Sequence, residues 1–256
     1  TSAFSSQALY ILMGGYVMRY LFGGVLSFLL LGCSVPSVNA YDLAMSFRTL
    51  DVIKTESRLA AKSRGAIVKI VSSTADYSTV YGTGTVFKYK GRLVILTAAH
   101  VVTEGLDDTR FFSKDGEIDA EVVYVDDIAD IAVLAVENYD FGDALSLRPA
   151  TKRNVKIGER TLYSGYPNSD GVFTIEGYIA GLTSYGDLFL HSYAWPGSSG
   201  SSVLGRDGRL IGILSAISVG PGMYGMPMPI EDIVIVVPIW KLNFDLLDLN
   251  LKSLDK

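Results

Sequence analysis

Short β-branched bursts dominate the chain from residue 66 onward: "AIVKIV" (66–71), "GTGTVFKY" (82–89), "RLVILTAAHVV" (92–102), "AEVVYVD" (120–126) and "DIAVLAV" (130–136). Turn signals such as "YKGR" and "SKDGE" fall between them. Several short strands at this spacing predict a sandwich or barrel. A polar stretch carrying Pro149, residues 138–158, interrupts the series and is expected to be a connector. The pattern then resumes with "ERTLYSGYP" (159–167), "GVFTIEGYIAGL" (171–182), "DLFLHSYA" (187–194), "SVLGRDGRLIGILSAIS" (202–218) and "IVIVVPI" (233–239). At the tail the period changes. Trp240, Phe244, Leu247 and Leu251 recur at i, i+4, i+7 and i+11, which predicts a helix over 239–252 with one apolar face.

Two β units follow from this pattern, 65–137 and 159–238, preceded by a helical segment at 41–64 that Gly65 would stop. The first 40 residues have a different character. From Met18, "MRYLFGGVLSFLLLGCSVPSVNA" sets Arg19 before an apolar run and then small residues, the layout of an export signal. "SVNA" offers a cleavage site before Tyr41, and "LLGC" resembles a bacterial lipobox with Cys33 as the lipid-carrying residue. An uncleaved anchor is the third reading, although the run is shorter than the ~20 residues a spanning helix needs. The expected location is therefore outside the cytoplasm, free or membrane-attached through this segment. Residues 1–17, upstream of Met18, are assigned no fold or role.

Composition narrows the function classes. With 256 residues, 49% of them hydrophobic and 19% charged, the chain suits a globular protein with a sizeable core. Its net charge is −5, and Arg19 is the one charged residue in the first 40, so the remainder is more acidic still. Nucleic acid is excluded as the expected partner, because phosphate binding needs a basic face. Cys33 is the only cysteine, so no intrachain disulfide and no cysteine-based metal site can form.

Only two histidines, His100 and His191, are available for proton transfer near neutral pH. His100 stands at the end of a strongly apolar strand in "ILTAAHVV", whereas His191 in "LFLHSYA" has less context and is given no role. Asp130 precedes the apolar "IAVLAV", where a carboxylate is costly without a donor, and a histidine N–H is one candidate donor. Asp126 and Asp127 read as solvated turn residues. "WPGSSGSSV" (195–203) places four serines among glycines, which alone is more often a turn than a nucleophile.

Taken in order, "GTGTVF", "LTAAHVV", "DIAVLAV", "GYP", "PGSSGSSV" and "GILSA" resemble the trypsin-like serine protease superfamily, particularly its bacterial disulfide-free, Deg-like (high-temperature-requirement) branch. The resemblance covers roughly residues 65–240. It implies an all-β fold of two six-stranded antiparallel barrels with the C-terminal helix appended, and an active site in the cleft between them. It also implies a catalytic triad of His100, Asp130 and Ser199, with the amides of Gly197 and Ser199 as oxyanion hole. Expected activity is hydrolysis of peptide bonds in a polypeptide substrate, with no cofactor and no metal. A catalytically silent peptide-binding relative and a serine esterase are the alternatives. α/β-hydrolase and subtilisin templates fail on residue order, since no histidine follows Ser199 and Asp130 follows His100.

The sequence also departs from the family pattern. Ser198 stands where digestive members have Asp, so activation by a buried new N-terminus is not expected, and Ser201 and Ser202 replace Gly and Pro. No PDZ domain is expected after Trp240. The resemblance implies a primary pocket formed by Tyr193, Ser215, Ala216 and Ile217, where Ile217 either narrows the entrance or packs the barrel. Tyr193 brings no carboxylate to attract Lys or Arg.

Overall fold

In the computed structural model, which describes residues 10–12, 57–73, 79–103, 109–137, 139–169, 171–221 and 227–254, the β-branched bursts become strands of two sheets that share one core. A three-residue strand, β1 (Tyr10–Leu12), comes first. Helix α1 (Arg58–Gly65) begins where the Ser57 hydroxyl accepts the Ala60 amide proton at 3.2 Å, satisfying one of the donors a helix start leaves unpaired. It ends at Gly65, where the sequence predicts. The rest of the predicted helical segment, 41–56, and the leader from 18 to 40 with Cys33 lie outside the described residues.

The first sheet is built from β2 (Ile67–Ser73), β3 (Thr79–Tyr89), β4 (Arg92–Thr97), β5 (Thr109–Ser113), β6 (Gly116–Ile118), β7 (Ala120–Asp126) and β8 (Ile131–Val136). Its order is β6-β5-β2-β3-β4-β8-β7, and a two-residue β9 (Leu145–Ser146) lies parallel on β3. β6 and β7 stand at opposite ends of this path, yet only Asp119 separates them in the chain. The sheet must therefore curl until its two edges meet. Three-residue β6, with Gly116 and Glu117 exposed, is too short to zip that seam, so the expected barrel is a half-barrel here.

The second sheet closes fully. β10 (Arg160–Gly165), β11 (Phe173–Leu182), β12 (Leu188–His191), β13 (Ser202–Gly205), β14 (Leu210–Pro221) and β15 (Pro227–Pro238) follow the order β14-β13-β10-β11-β12-β15. β15 then pairs back onto β14, making a six-stranded antiparallel barrel with no seam. β13 stops pairing with β14 at Ser202↔Ile213, so beyond that point one edge of β14 is left unpaired by the barrel. β1 takes that edge antiparallel, Tyr10 opposite Ser218, Ile11 opposite Ile217 and Leu12 opposite Ala216. Residues that the sequence left without structure thus add a strand to the second unit.

One hydrophobic cluster runs through both units, with Phe87, Ile95, Leu96 and Leu134 from the first and Leu190, Leu204, Leu210 and Leu214 from the second. The tail helix, α2 in the order of the longer helices (Phe244–Ser253), starts later than predicted because Asn243 caps it, accepting the Leu246 amide proton at 3.1 Å. Before it, Ile239–Lys241 form a single 3₁₀ turn. Leu247 and Leu251 are buried as the periodicity requires, and Asn250 donates to the Val123 carbonyl at 2.7 Å. The helix leaves the second unit and docks on β7 of the first. Among the described residues, no helix is long and apolar enough to cross a membrane.

Candidate active site

His100 is placed by a short helical turn, Ala99–Thr103, that follows β4, rather than by the end of the strand itself. β4 stops at Thr97, and the apolar residues Val101 and Val102, which read as strand continuation, are buried on the turn instead. Asp130 lies at the head of β8 in a left-handed conformation, φ 52°, which Asp tolerates better than most residues. That backbone turn brings its carboxylate onto His100. Nδ1 of the ring lies 2.9 Å from both carboxylate oxygens, and the backbone N–H of His100 donates to Oδ1 at 3.0 Å.

A third donor comes from the other barrel. The Ser215 hydroxyl hydrogen-bonds Asp130 Oδ2, so this nearly buried carboxylate has partners on both sides of the interface between units. The sequence placed Ser215 at a pocket; its hydroxyl is turned onto the acid. Asp126 accepts the Ile128 and Ala129 amides at 3.1 and 2.9 Å and so shapes the turn leading to Asp130, while Asp127 is exposed.

The serine-rich stretch is a rigid turn. Its peptide planes are fixed one after another, each by a carbonyl with a named donor. Asn168 N–H binds the Pro196 carbonyl at 2.7 Å, the Thr83 hydroxyl binds that of Gly197 at 2.8 Å, Ser201 N–H binds that of Ser198 at 3.1 Å, and Thr83 N–H binds that of Ser199 at 2.8 Å. Of the turn's amides, Ser198 donates to Trp195, Gly200 to Leu214 and Ser201 to Ser198. Those of Gly197 and Ser199 have no acceptor among the described residues. Because a trans peptide points its N–H opposite its C=O, anchoring the Pro196 and Ser198 carbonyls also fixes where these two free N–H groups point.

Gly197 and Gly200 have φ of +92° and +86°. A Cβ at Gly197 would sit 2.3 Å from the Tyr166 carbonyl oxygen, and one at Gly200 would sit 2.1 Å from both the Thr83 carbonyl oxygen and Thr97 Oγ1. The serine turn is thus pressed directly onto Thr97 and Ala98, the residues just ahead of His100. Gly200→Ala should combine left-handed strain with overpacking and cost about 2–5 kcal/mol in urea unfolding. Gly91→Ala provides the contrast, since Gly91 also has positive φ but nothing within 4 Å, and should cost only about 1–2 kcal/mol. Equal losses at the two sites would show that the packing of the turn on Thr83 and Thr97 carries no weight.

Ser199 Oγ and His100 Nε2 are both buried, and neither has a hydrogen-bond partner among the described residues. The Ser201 and Ser202 hydroxyls are likewise buried without partners among those residues, and the Ser198 hydroxyl is buried beside the Tyr163 phenol. The residues expected at the pocket separate: Ala216 is buried, Ile217 is half-buried and packs against the core, and Tyr193 is half-exposed with its ring stacked on Trp195, centroids 6.0 Å apart. Tyr193 contributes its main chain inward, where Tyr163 O–H binds its carbonyl, and burial pushes the Tyr163 phenol's ionisation up. His191 stacks on Tyr178, ring centroids 4.7 Å apart.

Residues 82–213, which include His100, Asp130 and Ser199, match the model of the trypsin-like peptidase domain. Serine protease Do-like HtrA of Bacillus subtilis is 30% identical over 158 residues, 56% of this chain and 35% of that protein. An HtrA-like serine protease of Staphylococcus epidermidis is 25% identical over 252 residues, 84% of this chain and 42% of that protein. The chain therefore spans well under half the length of these two relatives. Among solved structures, a serine endoprotease from Yersinia pestis superposes with a TM-score of 0.58 at 22% identity, covering 77% of this chain and 68% of its own. An HtrA-type protease solved with a tripeptide superposes with a TM-score of 0.59 at 20% identity, covering 73% of this chain and 61% of its own. With more than half of its residues inside the family match and a barrel and half-barrel built around it, the chain belongs to the trypsin-like peptidase family, with HtrA-like serine proteases among its relatives.

Proposed function

We propose that the chain is a serine endopeptidase, and the observation that carries this reading is the pair of unengaged, fixed amides at Gly197 and Ser199. A plain turn has no physical need to bury a hydroxyl, leave two adjacent N–H groups without acceptors and fix the planes that aim them. An oxyanion site needs all three. His100, oriented by Asp130, is the base that makes the Ser199 hydroxyl nucleophilic.

In the reaction, Ser199 Oγ bonds to the scissile carbonyl carbon as its proton passes to His100 Nε2. The oxyanion that forms lies against the Gly197 and Ser199 amides, and the charged ring is held by Asp130. Cleavage of the C–N bond then takes the proton from Nε2 to the leaving amine, leaving an acyl-serine. Water, deprotonated by the same nitrogen, attacks the ester and regenerates the serine. For the substrate, the edge of β14 at Ala216–Ser218, which β1 occupies antiparallel, suits an extended segment. A peptide substrate takes that edge in place of β1.

Labelling with a fluorophosphonate, followed by turnover of matched peptide and ester substrates, tests the reading. We expect stoichiometric labelling on Ser199 and cleavage of internal peptide bonds. A protein that binds peptides without labelling would be a silent relative, and one that turns over only esters would be an esterase; either overturns the proposal.

A further inference from the structure

Thr83 is the residue on which the two units converge, and its three polar groups are all engaged, in four hydrogen bonds. It lies in β3 of the half-barrel, fully buried, between Gly82 and Gly84. Added Cβ atoms there would meet Val101 at 2.3 Å and Ile95 at 2.5 Å, so the glycines let this strand sink close to the histidine turn. The Thr83 carbonyl accepts the Thr97 hydroxyl at 2.8 Å, and its N–H donates to the Ser199 carbonyl at 2.8 Å. Its hydroxyl donates to the Gly197 carbonyl at 2.8 Å and accepts the Tyr166 N–H at 3.0 Å.

Two of the four carbonyls that fix the serine turn are therefore held by this one residue, Gly197 by its side chain and Ser199 by its main chain. Resting on the endopeptidase reading, we propose that the Thr83 hydroxyl is a positioning element for the oxyanion site: it pins the Gly197–Ser198 peptide plane, which lies between the two planes that carry the Gly197 and Ser199 amides, and so holds those two amides in a fixed relation to each other. Main-chain contacts alone would survive any side chain at position 83. The hydroxyl is different, because a methyl in its place removes the donor that holds the buried Gly197 carbonyl and the acceptor of the Tyr166 N–H. The Gly197–Ser198 plane is then free to rotate, and its rotation shifts the two neighbouring planes that carry the Gly197 and Ser199 amides.

An interaction that matters only where charge develops affects the transition state and spares ground-state binding. Thr83→Val should therefore lower kcat for peptide cleavage and the rate of fluorophosphonate labelling by about 10–100-fold while KM changes less than threefold. Affinity for a peptide boronate, whose adduct puts an oxygen against the two amides, should fall in parallel, and affinity for the product peptide should not. Thr83→Ser keeps the hydroxyl and should stay within threefold of the parent in every measurement. Were Thr83→Val too unstable to purify, Thr83→Cys, a smaller change with a weak donor, should show the same split to a lesser degree. If the parent protein labels and Thr83→Val labels within threefold of it with unchanged boronate affinity, the positioning role is overturned while the endopeptidase reading stands. If the parent protein itself fails to label, the endopeptidase reading falls and the role built on it falls too.

Discussion

Ser199→Ala should reduce peptide turnover by about 10⁶-fold and abolish fluorophosphonate labelling, the scale expected when the nucleophile of an interdependent triad is lost. Ser198→Ala, Ser201→Ala and Ser202→Ala should still label. All four serines are buried, so burial alone does not distinguish them. The backbone does. Only the Ser199 residue carries an unengaged N–H of its own and follows, by two positions, a second one at Gly197, so only its Oγ would be covalently bonded to a carbon whose oxygen lies against both amides. Ser198 has its own amide tied to Trp195 and Ser201 has its own tied to Ser198, so neither hydroxyl shares its residue with an unengaged N–H. Activity measured on amide bonds and label site mapped by mass spectrometry would check the expectation together. Full labelling of the Ser199→Ala protein, or loss of labelling in the Ser201→Ala protein alone, would move the nucleophile elsewhere.

Much of the fold was legible because burial writes a period into sequence. Both sides of β8 are covered, and its six residues read as an unbroken apolar run; the tail helix shows its buried face at Leu247 and Leu251. Illegible features share one cause, dependence on a partner far along the chain. Phe111 and Phe112 in β5 are strand residues because β2 lies beside them, and "SKDGE" next to them gives only the turn. Tyr10–Leu12 became a strand because β13 ends and leaves an edge on β14. The closure of one barrel and not the other depends on β6 having only three residues.

The same holds for the site. His100 and the glycines at 197 and 200 stand out in a sequence because histidine is scarce and positive φ demands glycine. Ser215 and Thr83 carry no such mark. Each is an ordinary β-strand residue whose importance lies in a hydrogen bond across the interface, Ser215 to Asp130 and Thr83 to Gly197. "GTGT" did hold a signal in retrospect: two glycines that clear space around one threonine mean that something must come close to it.

Asp130→Asn should leave the protein folded and slow peptide cleavage by about 10⁴-fold, and the surrounding donors explain why so small a change has so large an effect. The asparagine has one oxygen and one NH₂ to distribute over the positions of Oδ1 and Oδ2. Oδ1 receives the backbone N–H of His100, which cannot move or change role, so an NH₂ there would set donor against donor. The oxygen must take that position, and the NH₂ takes the other. At the Oδ2 position it meets the Ser215 hydroxyl, which can reverse and accept, and the ring Nδ1, which is equally close to both carboxylate oxygens in the parent protein. An NH₂ facing Nδ1 favours the tautomer with its proton on Nε2, and a protonated Nε2 cannot accept the serine proton. In the parent protein Asp130 holds the tautomer with the proton on Nδ1 and leaves Nε2 free to accept, and the Asp130→Asn protein loses that arrangement. Asp126→Asn keeps an acceptor for the Ile128 and Ala129 amides, and Asp127→Asn alters an exposed residue, so both should stay near parent activity. Near-normal cleavage by Asp130→Asn, or a large defect in Asp127→Asn, would show that a different carboxylate orients the base.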